Sequence, residues 1–337
     1  MNAPSISRRS ALLGGAALML SAAGARAQAT PVTSPSAAFP VSIDHLYGST
    51  TISTQPTRVV TLGWSSGDAA IALGVIPVGI PKDNWAGDTD GFLPWTRLAL
   101  GNAPLPATFD ADTEIPFETI IGLEPDLILA PYSGVSEDDY ATLSKIAPTV
   151  PPIKALWSSS WQDVTRIAGI ALGRAAEAEQ LIADTNAQVA AEAANYPELA
   201  GKSFIYGNVD PEAGAFDILI AGDPRPQFLE QMGLVPADLV VELSEQPSDV
   251  YFSPVSFELA NTLVADIVVF WFTDESEYEA ATQLPAYQAI PAYADNRIAA
   301  IVGREYVMAT SAFSTLSIAF ALDEFLPTLA AAAANVA

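Results

Sequence analysis

Apolar residues along this chain alternate between short β-branched runs and stretches with helical spacing. "TRVVTL" (57–62) is a compact apolar run ending at Gly63, "GDAAIALG" (67–74) has helical spacing, and "VIPVGI" (75–80) is a second buried-strand run. Strand, helix and strand in that order predict a parallel βαβ unit. The same grammar recurs in "FETIIGLEPDLILA" (117–130), where Ile120, Ile121 and Leu123 mark a helix that precedes a strand, and again in "DDYATLSKIAPTV" (138–150). The middle of the chain differs, because 160–173 and 174–197 are helical throughout, with breaks at Gly173 and Pro197. The second of these would be about 35 Å long at 1.5 Å per residue, a length suited to a strut between lobes.

Beyond Gly201 the α/β pattern resumes with "SFIYG" (203–207), "DILIAG" (217–222), a helix at "PRPQFLEQMG" (224–233), "ADIVVFWF" (265–272) and "RIAAIV" (297–302). A C-terminal helix follows from "STLSIAFALDEF" onward. A faint repeat relates the two halves: "PFETIIGLEPDLILA" (116–130) parallels "SFELANTLVADIVVF" (256–270), each placing Phe-Glu at the start of a helix that feeds a strand.

The first residues change the picture. Arg8 and Arg9, an apolar run from Ala11 to Leu20, and small residues at Ala25, Ala27 and Ala29 have the shape of a cleaved export signal. The adjacent arginines resemble a twin-arginine leader, although general secretion signals can carry the same pair. The apolar run is too short to anchor a membrane, and no later segment is long and charge-free enough to span one. The stretch 30–40, rich in Pro, Ser, Thr and Ala, is expected to be flexible.

The chain has 337 residues, with 14 Lys and Arg against 39 Asp and Glu, for a net charge of −25. Such a field repels nucleic acid and anionic lipid, and its simplest role is solubility. Cysteine is absent, which excludes disulfides, cysteine-ligated metals and an acylated cysteine anchor. A free periplasmic monomer without direct membrane insertion is the expectation.

Open parallel sheets bind ligands beyond the carboxyl ends of their strands. The residues expected there are Trp64 and Ser65 after "VVTL", Lys82 and Trp85 after "PVGI", Tyr132 after "LILA", and Lys154 and Trp157 after "PTV". In the second half they are Tyr206 at its strand end, Arg225 after "DILIAG", Trp271 and Phe272 closing "DIVVFWF", and Arg304 and Tyr306 after "IAAIV". Aromatic rings in this number suit a bulky, partly apolar ligand. Asp83, Asp88, Asp274 and Glu275 fall in the same loops, so the sign of the site's charge stays open at this level.

"TRVVTLGW", "DAAIALGVIPVGI", "FETIIGLEPDLILAPYSG", "LSKIAPTV", "SWQDVTRIAGIALGRAAEAEQLI", "FLEQMGL" and "LSIAFALDEFLP", in this order, resemble the ferric-siderophore and vitamin B12 class of periplasmic binding proteins. The resemblance runs from His45 to about residue 330, and is strongest to members that carry siderophore-bound iron. It implies an α/β fold of two lobes with central parallel-type sheets, joined by one long α-helix, with a shallow ligand cleft between lobes that move little. The corresponding organisation is an export signal over 1–29, a flexible segment over 30–40, an N-terminal lobe over 41–157, a helical connector over 158–199 and a C-terminal lobe over 200–337. The function so implied is capture of a ferric siderophore and delivery to the permease of an ABC importer, with no protein-held cofactor. The family also docks on its permease through one glutamate per lobe, which by motif position are Glu118 and Glu258. A first-turn glutamate is in any case favoured by the helix dipole.

Three other functions compete. A corrinoid or haem would suit the same family and the same aromatic loops. "GWSSG" (63–67) fits the G-x-S-x-G elbow of a hydrolase with Ser65 as nucleophile, but the chain's one histidine, His45, precedes the serine, against the order of such triads. Direct zinc or manganese binding needs several histidines or cysteines, whereas a ferric chelate brings its own ligands.

Overall fold

The computed structural model describes residues 39–246 and 251–336. The export-signal and flexible-segment expectations over 1–38 lie outside the described residues. An antiparallel hairpin, β1 (Val41–His45) and β2 (Gly48–Ile52), leads into a five-stranded sheet made of β3 (Val59–Thr61), β4 (Gly79–Pro81), β5 (Ala107–Phe109), β6 (Leu127–Leu129) and β7 (Thr149–Val150). Its order is β5-β4-β3-β6-β7 and every pairing is parallel. Side chains alternate between its faces, as a period of two requires. Val59, Leu127 and Leu129 pack under the helices Ser66–Ala72 and Trp161–Leu172, while Val60, Ile128 and Phe109 pack against Ile120 and Leu143 on the other side.

The second sheet comprises β8 (Ser203–Asp210), β9 (Ala215–Leu219), β10 (Val235–Pro236), β11 (Phe252–Ser256), β12 (Ile267–Phe272) and β13 (Ile298–Val302). Its order is β11-β9-β8-β12-β13, with β10 also paired to β8. Its centre is the parallel-type sheet expected from sequence, extended by an antiparallel strand. β8, β10, β12 and β13 run parallel, while β9 runs antiparallel to both β8 and β11, because only the short loop 211–214 separates β8 from β9 and leaves no room for a crossover. Here too the faces alternate: Phe204, Tyr206, Val269 and Ile301 face one core, and Ile205, Phe216, Phe270 and Phe272 the other.

The described residues belong to one compact unit. The connector helix Ala175–Ala193 has 19 residues, about 28 Å at 1.5 Å per residue, shorter than the sequence suggested because the helix ends before Pro197. It places Ala178 in the core of the first sheet and Ile182 and Val189 in that of the second, which gives it the bridging position of a strut. The C-terminal helix Ser317–Ala333 supplies a second bridge: Leu322, Phe325 and Leu329 lie in the second core, while Phe320 packs on Trp95 of the helix Pro94–Leu100, ring centroids 5.5 Å apart. The repeat is visible in space as well. Phe117 opens a helix (Phe117–Gly122) before β6, and Phe257 opens a 3-10 helix (Phe257–Thr262) before β12.

Candidate functional site

The carboxyl end of β3 sets the first wall of the site. Gly63 has φ +70°, and a Cβ there would fall 2.2 Å from the Tyr132 carbonyl oxygen, so only glycine lets the β3 and β6 loops touch. The Trp64 N–H then donates to that same carbonyl at 2.9 Å, fixing a tryptophan that stays 40 % exposed. Trp157, itself in the left-handed region at φ 54°, lies 5.2 Å from Trp64 between centroids, and Tyr132 backs both rings at 6.1 and 5.8 Å. Gly134 seats the Trp157 indole, since a Cβ would come within 2.8 Å of Nε1.

The loop after β4 is shaped by its own carboxylates. Asp83 Oδ1 accepts from the N–H groups of Trp85, Ala86 and Gly87 at 3.0, 2.6 and 3.2 Å. Asp88 accepts from the N–H groups of Asp90 and Phe92 and pairs with Arg97 at 2.8 Å. Asp83 and Asp88, two of the four acids that the sequence places in these loops, are therefore turn-forming groups. They hold Trp85 and Phe92 against the opening, and Arg304 stacks over Trp85 at 5.6 Å.

These elements enclose, with the second half of the molecule, a cavity of about 590 Å³. Trp64, Ser65, Lys82, Trp85 and Trp157 line it from one side, and Arg225, Trp271, Met308 and Ala312 from the other. A groove of about 910 Å³ adjoins it through Gly63, Asp112 and Trp157 and runs past Glu114, Glu118 and Asp139.

Arg225 reaches the cavity by a route the strand-end rule does not describe. β9 runs antiparallel, so the residues after it do not sit at the carboxyl end of the parallel strands. Arg225 comes instead from the first turn of the helix Pro224–Gln231, where Asp223 caps the helix and binds the guanidinium through Nε and Nη2 at 2.9 and 2.8 Å. Burial opposes the charge on Arg225, and the Asp223 carboxylate more than restores it, holding its pKa above the ordinary value. Tyr251 stacks over the guanidinium at 5.2 Å.

The remaining expected ligand contacts do not line the cavity. Tyr206 is wholly buried, its hydroxyl 3.3 Å from Thr310 Oγ1, because β8 continues to Asp210 and places Tyr206 mid-strand. Phe272 is 1 % exposed among Tyr278 and Tyr287, since the alternation that turns Trp271 toward the cavity turns its neighbour away. Tyr132 is a second layer behind the tryptophans, and burial pushes its phenol pKa up. Arg304 and Tyr306 sit outside the lining, the latter stacked on Phe320 at 5.3 Å, and Lys154 is exposed elsewhere.

Sequence reasoning missed several wall residues. Asn84, Phe92 and Leu93 belong to the loop whose ends were recognised but whose length was not. Asp112 follows β5, a three-residue edge strand too short to read; had "ATF" been identified, the strand-end rule would have found it. Asp68 carried no signal. It is fully buried in the first turn of its helix and accepts from Trp95 Nε1, Thr96 Oγ1 and Ser314 Oγ, each at 2.7 Å, with burial raising its pKa despite three donors.

Ser65 has the left-handed backbone of an elbow, φ 62°, but its Oγ lies 3.0 and 2.9 Å from the carbonyl oxygens of Ala312 and Phe313, to which it donates. His45 is buried in the hairpin, with Nε2 on Thr50 Oγ1 at 3.0 Å and Nδ1 accepting the Tyr47 N–H at 3.2 Å. Ser65 thus ties the first half to the segment 312–313 of the second, beside the Asp68–Ser314 contact. Glu118 and Glu258 are both exposed, each in the first turn of its helix, at the ends of their sheets where the parallel strands finish.

Comparison with known proteins agrees with this architecture. The chain is 28 % identical over 245 residues to the probable siderophore-binding lipoprotein YfiY of Bacillus subtilis, across 70 % of this chain and 69 % of that one. It superposes on Streptococcus pneumoniae PiaA in complex with ferrichrome with a TM-score of 0.81 and 32 % identity, covering 88 % of this chain and 100 % of the other. Staphylococcus aureus SirA complexed with staphyloferrin B gives a TM-score of 0.69 at 25 % identity, over 86 % and 98 % of the two chains. Residues 59–304 match the family model described as periplasmic binding protein. With two bridged α/β halves closing on one aromatic cleft and that match over most of its length, the chain belongs to the periplasmic binding protein family.

Proposed function

We propose that this protein captures a ferric siderophore in the cleft and delivers it to the permease of an ABC importer for iron uptake. The observation that carries the proposal is the cavity itself. Its volume of about 590 Å³ suits one drug-sized ligand, and four tryptophans from both halves of the chain converge on it. A chelate that already fills the coordination sphere of its metal needs flat contact area and a few polar anchors rather than protein ligands to iron, and that is what these walls offer. The relatives named for siderophore binding support the same cargo. The decisive experiment is native mass spectrometry of the protein purified from its own cell envelope. A one-to-one adduct with the mass of an iron chelate is expected; an adduct with the mass of haem or a corrinoid would redirect the proposal to that cargo.

Docking is assigned to Glu118 and Glu258. They are solvent-exposed, at equivalent repeat positions on the two halves, and free of ion-pair partners among the described residues. Arginine at both positions is expected to abolish uptake in cells that depend on this protein. Glu258→Arg alone, remote from the cavity lining, is expected to leave chelate affinity unaltered; uptake that survives the double reversal would refute the assignment. The same reading has the protein acting in the periplasm as a monomer; its family and its leader-like N-terminus support the export. Among the described residues no helix is long and apolar enough to cross a membrane.

A further inference from the structure

The charges around the cleft identify the class of chelate, an inference that rests on the ferric-siderophore reading. Of the cations near the cavity, Arg225 is cancelled by a two-pronged bond to Asp223, and Arg304 stands at the rim over Trp85 with Asp274 close enough to feel its charge. Lys82 is the lining cation left without a carboxylate partner among the described residues. The lining also contains Asp112, and the adjoining groove passes Glu114, Glu118 and Asp139 with, among the described residues, no lysine or arginine along its walls. The groove and the cavity share Trp157 and Asp112, so a ligand stacked on that indole lies where the cavity meets these acids. The whole chain adds a background of −25.

Ferric chelates divide by charge. Three monoanionic bidentate groups, such as hydroxamates, cancel the charge of ferric iron and give a neutral complex. Three catecholates leave it triply negative, and citrate-type carboxylate ligands also leave net negative charge. A triply negative complex would enter this cleft against several carboxylates with Lys82 as its free counter-charge, and like-charge approach of that kind suppresses binding. We infer that the cleft selects an uncharged ferric tris-hydroxamate core, with a cationic arm lying along the acidic groove past Asp112 and Glu114.

The test uses one linear ferric trihydroxamate in three forms: with its terminal amine free, acetylated, or succinylated, so that net charge falls from positive through zero to negative on a constant core. A ferric tricatecholate and ferric citrate complete the series. Affinities are read by quenching of tryptophan emission with the full mature protein. Each unit of positive charge is expected to tighten binding by roughly threefold to tenfold at low salt, and the spread should shrink toward parity near 0.5 M salt, where the Debye length is about 4 Å. Glu114→Gln should narrow the gap between the amine and acetylated forms, while Lys82→Met should not. Tighter binding of the tricatecholate or citrate complex, or of the succinylated form over the amine, overturns the inference but leaves siderophore capture standing. Binding of none of the five overturns both.

Discussion

Replacing Asp223 with asparagine tests the most concentrated electrostatic feature of the cleft wall. The Asp223 and Arg225 side chains are 3 % and 12 % exposed, and the carboxylate accepts three hydrogen bonds from Arg225, one of them from its backbone N–H. Asparagine keeps an oxygen for the helix cap, so the capping contribution of about 1 kcal/mol is largely retained. It removes the countercharge from a guanidinium that cannot lose its proton. Breaking a buried pair from one side costs about 3–5 kcal/mol, and because Arg225 borders the cavity and can recover some water there, we expect the lower part of that range, about 3–4 kcal/mol. Urea denaturation, comparing midpoints at unchanged slope, measures it. Adding Arg225→Met to Asp223→Asn removes the stranded charge and should restore most of the loss, because apolar replacement of a buried pair is close to neutral. A single variant within about 0.5 kcal/mol of the parent, or a double variant no more stable than the single, would refute the reasoning.

Two further substitutions probe other parts of the account. Gly134→Ala forces a methyl within 2.8 Å of Trp157 Nε1 and should cost chelate affinity several-fold by tilting the indole, while stability falls by only about 1–2 kcal/mol at this exposed position; unchanged affinity would remove Trp157 from the site. His45 has its pKa lowered by burial, with Asp44 opposing more weakly. A depressed value in the folded state means that its neutral form adds stability above about pH 6.5, which is lost as pH falls through the folded value. Melting temperatures at pH 7 and 5 should therefore fall further for the parent than for His45→Gln, and parallel slopes would contradict this.

The legible parts of the fold were those where side-chain spacing is dictated by burial on both faces. "VVTL" and "LILA" read as strands because parallel central strands leave no polar alternation, and the capping and breaking residues around the connector helices bounded them to within a few positions. The hairpin β1–β2 escaped notice, since "VSIDH" and "GSTTI" carry one buried apolar residue each, Ile43 and Ile52. Strand direction was illegible: nothing in "DILIAG" distinguishes a parallel from an antiparallel strand, and Arg225 entered the expected site through a rule that does not apply to β9. In contrast, Trp271 and Phe272 could have been separated from sequence by the alternation of faces alone. Asp68 and the Ser65 contact to 312–313 join residues almost 250 positions apart, and no local pattern encodes such a contact.

The central claim is that one bulky chelate lodges among tryptophans from both halves of the chain. Of the six tryptophans, Trp95 and Trp161 are buried and Trp64, Trp85, Trp157 and Trp271 line the cavity. Titration of intrinsic tryptophan emission with a ferric trihydroxamate measures that arrangement directly. We expect saturable quenching at one-to-one stoichiometry that is diminished in Trp64→Phe and in Trp271→Phe alike, the first on one wall and the second on the other. Emission that stays constant to saturating chelate, or quenching indifferent to both substitutions, would contradict it.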